Sequence, residues 1–273
     1  MKDSVLVTLA DSSFLDQAKQ LFGSAHHKGE WKGDFALIAC DVPHEKLLWF
    51  REKGIFIHAC PWPVLKKQDG GVFRLPAQFG KFHLFTNFFR QWKQIVFLDA
   101  DIIVRASLEE LSAGEGISAS YDMENAPLER QFFSPTFDAF KWDAVTENML
   151  KDLKKNFDLS TPSFNSGVLS FPSSLVLPDT FARISELFEC YYLIERYCDQ
   201  PILNLFFYKN WDPLPEKFNR FISATRSDSE NIEHAKDASI VHFAGLAKKP
   251  WDKTSPFYDE WKENLAEAES LEI

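Results

Sequence analysis

The run Ile95-Val96-Phe97-Leu98 ends in Asp99-Ala100-Asp101, and far downstream stands His242-Phe243-Ala244-Gly245-Leu246-Ala247-Lys248-Lys249-Pro250-Trp251. An apolar strand that ends in Asp-x-Asp presents two hard oxygen ligands on a rigid sheet edge. Such oxygens suit Mg²⁺ or Mn²⁺, and an imidazole added by His242 leans the set toward Mn²⁺. Gly245 lets backbone approach a ligand closely, and Lys248 or Lys249 can place an ammonium on phosphate. Asp also ends strands as a simple turn former, so neither string is decisive alone. Together they fit a metal-bridged diphosphate, such as that of a sugar nucleotide.

The elements around these strings alternate. Val5–Leu9 reads as a buried strand, and Asp11-Ser12-Ser13 as the start of the helix after it. Asp34–Cys40 is a second apolar run, Pro43–Lys53 a helix with Pro in its first turn, and Gly54–His58 a third strand. Pro61 to Pro76 is irregular and holds Pro63, Gly70 and Gly71. A helix over Phe79–Trp92 then leads into the strand Ile95–Leu98. Next come a short helix at Ser107–Leu111, a strand at Ile117–Tyr121, and a variable stretch from Asp122 to Pro162 with one helical segment. Ser163–Phe171 reads as a strand, Pro178–Tyr192 and Asp199–Phe207 as helices, and Ser239–Phe243 as the last strand. Alternation of this kind predicts a mostly parallel sheet with covering helices, and the Asp-x-Asp falls at the carboxyl end of a strand, where such sheets bind ligands. Residues 1–253 read as one domain, and 254–273 as a charged amphipathic tail, docked or frayed.

The chain has 273 residues, enough to bury a large core, and 27 Phe make that core bulky. A net charge of −10 disfavours nucleic acid and anionic membranes as partners. A local cation and a metal can still reverse the sign inside one pocket. Cys40, Cys60, Cys190 and Cys198 form no C-x-x-C pair and no zinc spacing, and read as reduced cysteines. No basic-then-apolar leader and no bilayer-length apolar stretch is present, which predicts a cytoplasmic location with no integral membrane segment. The tail is acidic, which also argues against binding an anionic membrane. Nothing in the sequence fixes an oligomeric state.

Five segments, in order, resemble glycosyltransferase family 8, the retaining transferases that include glycogenin and bacterial lipopolysaccharide galactosyl- and glucosyltransferases. They are Val7-Thr8-Leu9-Ala10-Asp11; Lys81-Phe82-His83 before Val96–Asp101; Phe164-Asn165-Ser166-Gly167-Val168; Asp199-Gln200-Pro201-Ile202-Leu203-Asn204; and His-Phe-x-Gly…Lys-Pro-Trp. The resemblance implies a single-domain α/β nucleotide-diphospho-sugar transferase fold (GT-A, Rossmann-like) with a mixed central sheet. It implies a UDP-sugar donor, a glycan or other hydroxyl acceptor, and Mn²⁺, with Mg²⁺ possible, on Asp99, Asp101 and His242. By the same resemblance Leu9, Asp11, Phe14 and Ala100 lie at the nucleotide, Phe14 where the family often stacks Tyr on uracil. Lys81 reaches the donor's phosphate or sugar, Asn165 and Ser166 border the sugar, and Gly245 with Lys248 or Lys249 holds the diphosphate. Asp199 and Gln200 flank the anomeric carbon.

Each residue also has a plainer reading. Lys81 on a helix can be solvated, and Phe14 can be core. Asn165-Ser166-Gly167 is a common turn composition, and Asp199 can cap a helix with Pro201 in its first turn. The expectation is a mixed role, Asp199 capping the helix while presenting its carboxylate to the sugar. Arg74 has weak support as a donor contact.

Between Gly245 and Pro250 the chain carries one residue more than the family spacing. Lys248 therefore matches by distance from His242, and Lys249 by adjacency to Pro250. Arg196 stands where glycogenin has a second carboxylate, and no Tyr lies between Trp211 and His242, which argues against self-priming. Two alternatives remain open at this stage: a catalytically inactive sugar-nucleotide-binding protein of the same fold, and a haloacid-dehalogenase-type phosphatase. The latter wants Thr or Val where Ile103 stands, and leaves the His242 string without a role. Acceptor specificity would lie with the 122–162 stretch and the 219–234 loop, where Phe132, Phe133, Phe137, Phe140 and Trp142 either stack on sugar or fill the core.

Overall fold

The computed structural model of the chain describes residues 2–66, 72–112, 114–133 and 143–271. Gly70, Gly71, Phe137, Phe140 and Trp142 lie outside the described residues. The strands are β1 (Lys2–Ala10), β2 (Asp34–Cys40), β3 (Phe56–Cys60), β4 (Val64–Lys66), β5 (Val72–Arg74), β6 (Trp92–Leu98), β7 (Ile102–Val104), β8 (Ser118–Tyr121), β9 (Phe164–Pro172), β10 (Asp212–Pro213), β11 (Arg220–Phe221) and β12 (Ile240–His242). The α-helices are α1 (Leu15–His27), α2 (Leu48–Glu52), α3 (Ala144–Asn156), α4 (Thr180–Tyr191), α5 (Asp199–Phe206), α6 (Asp228–His234) and α7 (Tyr258–Glu267).

The main sheet has the order β10-β8-β9-β6-β1-β2-β3. β3, β2, β1 and β6 run parallel, whereas β9 is antiparallel to both β6 and β8. The sheet is therefore mixed. Alternation along its strands splits the core into two layers. Val5, Val7, Ile95, Phe97, Leu169 and Phe171 face one layer, while Leu6, Val96, Leu98 and Val168 face the other.

β7 begins immediately after Asp101, leaves the main sheet and pairs antiparallel with β12, which is flanked on its other side by β11. Ile103, Val241, Phe243, Phe257 and Trp261 form a third core beneath this small sheet. The tail is a docked helix. α7 packs on α1 and is held by a two-pronged contact from the Arg105 guanidinium to Glu260, at 2.6 Å and 2.5 Å. Lys28 reaches Glu267 at 3.3 Å, and the Trp49 indole N–H donates to Glu269 at 2.9 Å.

The helix expected over Phe79–Trp92 is instead two 3₁₀ segments, Ala77–Phe85 and Asn87–Gln91, separated by Thr86 in extended conformation. The reason lies in the spacing. Phe79, Phe82 and Phe85 recur every third residue and all enter the same core layer, and a repeat of three eclipses on a 3₁₀ helix but fans out on an α-helix. Trp92 already belongs to β6.

A candidate active site at the junction of the two sheets

The β7–β12 register sets His242 opposite Ile102, next to the Asp99-Ala100-Asp101 turn. One oxygen of each carboxylate meets a lysine: Asp101 Oδ2 lies 2.8 Å from Lys249, and Asp99 Oδ1 lies 3.1 Å from Lys81. The remaining oxygens turn toward His242 Nε2, at 3.3 Å from Asp101 Oδ1 and 4.0 Å from Asp99 Oδ2. Ligand atoms of the three residues all fall within 4.8 Å of one another. Two hard oxygens and one imidazole nitrogen converging on a shared space fit a divalent cation. Burial pushes the Asp101 carboxyl up, but His242 and Lys249 outweigh it and hold the group well below the usual carboxylate range.

Gly167 makes room for the histidine. A Cβ there would stand 2.3 Å from His242 Cε1, so no larger residue fits without moving the ring. Asn165, Ser166 and Gly167 are thus part of β9 rather than a turn.

Lys81 is the hub of the site. It is 2% exposed and not solvated. Its ammonium lies 3.1 Å from Asp99 and 3.0 Å from Asp199, and donates to the carbonyl and hydroxyl oxygens of Ser166 at 3.1 Å each. Burial alone would lower the ammonium, but the two carboxylates outweigh it and push its pKa up to about 12. Burial raises the Asp199 carboxyl, with Lys81 opposing.

Asp199 does not cap α5. The N-cap is Cys198, with no side-chain cap bond, and the Asp199 carboxylate accepts instead from Ser166 Oγ at 2.7 Å. The expected capping half of its role is therefore absent, because Lys81 and Ser166 engage the carboxylate. Cys198 holds φ 58° and ψ −115°, a conformation that costs a non-glycine residue about 1–3 kcal/mol. Glu195 braces this corner by accepting the Cys198 N–H at 2.6 Å. Burial pushes the Glu195 carboxyl up to about 7.

Gln200 joins two polar chains. Its Oε1 accepts from Asn165 Nδ2 at 2.8 Å and from the Ser166 N–H at 3.1 Å, while its Nε2 donates to Asp122 at 3.1 Å. Gln131 donates to the same Asp122 oxygen at 3.2 Å. Asn165 Oδ1 accepts from Asn219 Nδ2 at 3.0 Å, and Asn219 Oδ1 meets His242 Nδ1 at 2.8 Å. Asp122, Gln131 and Asn219 belong to the site, although only the polar, short-range character of these residues was visible in the chain. Asn219 is 1% exposed, inside the protein rather than on an acceptor-facing loop.

Phe14 marks the other rim. It is 39% exposed and meets the Trp251 ring edge-on at 5.8 Å. Asp11 closes a turn by accepting from the Ser13 N–H and hydroxyl at 2.7 Å and 2.6 Å, so α1 starts later, at Leu15. Leu9 packs on Gly80, one residue before Lys81, and Ala100 lies buried between the two carboxylates. Gly245 has φ +60° with open space where a Cβ would stand, so backbone conformation, not crowding, accounts for the glycine. The two lysines separate here. Lys249 lies on Asp101, whereas Lys248 pairs with Asp228 at 3.0 Å and donates to the Thr254 carbonyl at 3.1 Å. Arg74 meets Asp41 at 3.5 Å on the surface.

The family model of glycosyl transferase family 8 matches residues 24–255. The chain belongs to this family. Family membership sets aside the phosphatase alternative. Galactinol synthase 4 of Arabidopsis thaliana is 23% identical over 259 residues, covering 88% of this chain and 71% of that protein. Among solved structures, the bifunctional glycosyltransferase WbbM superposes with a TM-score of 0.67 at 19% identity, over 99% of this chain and 52% of its own. The chain therefore spans about half of WbbM. The galactosyltransferase LgtC, solved with donor and acceptor sugar analogues, gives a TM-score of 0.63 at 17% identity, over 98% of this chain and 96% of its own. These neighbours share the GT-A fold. This chain carries its Asp99-Asp101-His242 group where its own two sheets meet, and no helix among the described residues is long and apolar enough to cross a membrane.

Proposed function

We propose that this family 8 chain is a retaining hexosyltransferase that moves a hexose from a UDP-sugar to a hydroxyl acceptor, with Mn²⁺ on Asp99, Asp101 and His242. The observation that carries the reading is the paired arrangement of the two carboxylates, each turning one oxygen to a lysine and the other to His242 Nε2. The cation, when bound, neutralises the diphosphate and lowers the cost of its departure.

The chain's own residues supply the rest. Lys249, held on Asp101 and the Phe243 carbonyl beside the carboxylate pair, is the ammonium placed to meet a diphosphate oxygen there; Lys248 is turned away onto Asp228 and the Thr254 carbonyl. Phe14, braced by Trp251, offers an exposed ring to uracil, with Leu9 and Asp11 beside it. Gln200, held by Asn165, Ser166 and Asp122, orients the sugar. Asp199 faces the developing positive charge at the anomeric carbon. The bond from that carbon to the diphosphate breaks, the acceptor oxygen bonds to the carbon on the same face, and the acceptor's proton goes to the departing diphosphate.

Galactose leads the candidate sugars, since LgtC is by name a galactosyltransferase; glucose follows. Calorimetry tests the donor reading. UDP should bind with Mn²⁺ present and lose most of its affinity in chelator, and equal binding in both would contradict a metal-bridged diphosphate.

A further inference from the structure

We infer that Asn219 is a positioning residue for the metal site, fixing both the tautomer and the aim of His242; this rests on the metal reading above. Asn219 is buried, and its two ends are distinguished by their partners. The Nδ2 end donates to Asn165 Oδ1 at 3.0 Å. Asn165 Oδ1 is assigned as the acceptor because it also takes the Gly167 N–H at 2.9 Å, while Asn165 Nδ2 donates to Gln200. Asn219 must therefore present Oδ1 to the imidazole, at 2.8 Å from His242 Nδ1.

An amide oxygen only accepts, so it selects the tautomer with the proton on Nδ1. The lone pair is then left on Nε2, the nitrogen that faces Asp101 and Asp99. Gly167 lets the ring sit against β9, and Asn219 sets its rotation. A partner on the far nitrogen is how metal-bound histidines are ordinarily oriented. Here that partner also belongs to the chain Asn219–Asn165–Gln200, which ties the metal ligand to the residue placed at the sugar.

The test is Mn²⁺ calorimetry on the full chain and two variants. Asn219→Ala removes the acceptor and should weaken Mn²⁺ about 10–100-fold. Asn219→Asp keeps an acceptor for Nδ1–H but cannot donate to Asn165, so it should retain most of the Mn²⁺ affinity while raising KM for the donor. Wild-type affinity in a folded Asn219→Ala, or an equal loss in Asn219→Asp, would overturn the inference. A wild-type chain that binds no Mn²⁺ would overturn the metal reading itself. Should the variants not fold, ¹⁵N-histidine spectra of the metal-free wild type in chelator decide, since a cation on Nε2 would itself force the proton to Nδ1. His242, identified by the peaks lost in His242→Gln, should keep a proton on Nδ1, and a neutral ring protonated on Nε2 alone would overturn the inference.

Discussion

His242 Nε2 stands 3.3 Å from Asp101 Oδ1 because β12 pairs with the strand that starts one residue after that aspartate. The register, not the loop between them, fixes the distance. A one-residue slip would turn the ring to the opposite face of the small sheet, so the Asp99-Asp101-His242 group and the pairing of β7 with β12 stand or fall together.

Asp101→Asn keeps the volume and removes the charge. Lys249 is partly exposed and can turn to water, so the fold should persist. Mn²⁺ affinity should fall by more than about 100-fold, beyond what losing a supporting partner costs. Calorimetry on the purified variant reads the loss, and an unchanged affinity would remove Asp101 from the ligand set.

Lys81→Met leaves Asp99 and Asp199 facing one another without their shared cation. Asp199 is buried, and stripping the partner from a buried charge costs about 3–5 kcal/mol. Urea unfolding should show that loss, and adding Asp199→Asn to Lys81→Met should restore part of it. No recovery in the double variant would mean that Lys81 stabilises through packing alone.

Glu195 predicts a pH dependence. Its carboxyl rises from 4.5 to about 7 on folding, through burial, so the folded state binds the extra proton between those values. Stability must then fall as pH rises from about 4.5 to 7. Glu195→Gln, which still accepts the Cys198 N–H, should be more stable than wild type at pH 8 by about 1–3 kcal/mol and not at pH 4. Denaturant unfolding at the two pH values checks the sign.

Gly167→Ala should push His242 off the site, since its Cβ would lie 2.3 Å from the ring. The overpacking costs about 1–3 kcal/mol, and Mn²⁺ affinity should drop with it. Gly114→Ala is the control, because the nearest atom to its Cβ is 3.4 Å away. Equal Mn²⁺ affinity in both variants would show that the ring has room to move.

Much of this arrangement was legible in the chain. Asp99, Asp101 and His242 announce themselves because strand-end carboxylates and an isolated His-x-x-Gly…Lys string are short-range patterns. The unbroken apolar runs Val5–Val7 and Ile95–Leu98 likewise revealed buried strands. The 3₁₀ geometry at Lys81 was hidden because helical propensity hardly separates 3₁₀ from α, although the three-residue spacing of Phe79, Phe82 and Phe85 was the usable sign. That Lys249 and not Lys248 lies on Asp101 was visible only from the turn after Gly245 in three dimensions. Asn219, Asp122 and Gln131 were illegible for a different reason. Each is a polar residue outside any motif, and only long-range hydrogen bonds to His242, Gln200 and Phe164 give it a role.

Metal-dependent chemistry on a UDP-sugar is read most directly from hydrolysis of the donor itself. UDP release from UDP-galactose, UDP-glucose and related donors should be measured without acceptor, first in Mn²⁺ and then in chelator, for wild type and Asp199→Ala. Slow release from one donor, abolished by chelator and strongly reduced in Asp199→Ala with donor affinity retained, is the predicted result. Release that ignores chelator, or an Asp199→Ala as active as wild type, would contradict it.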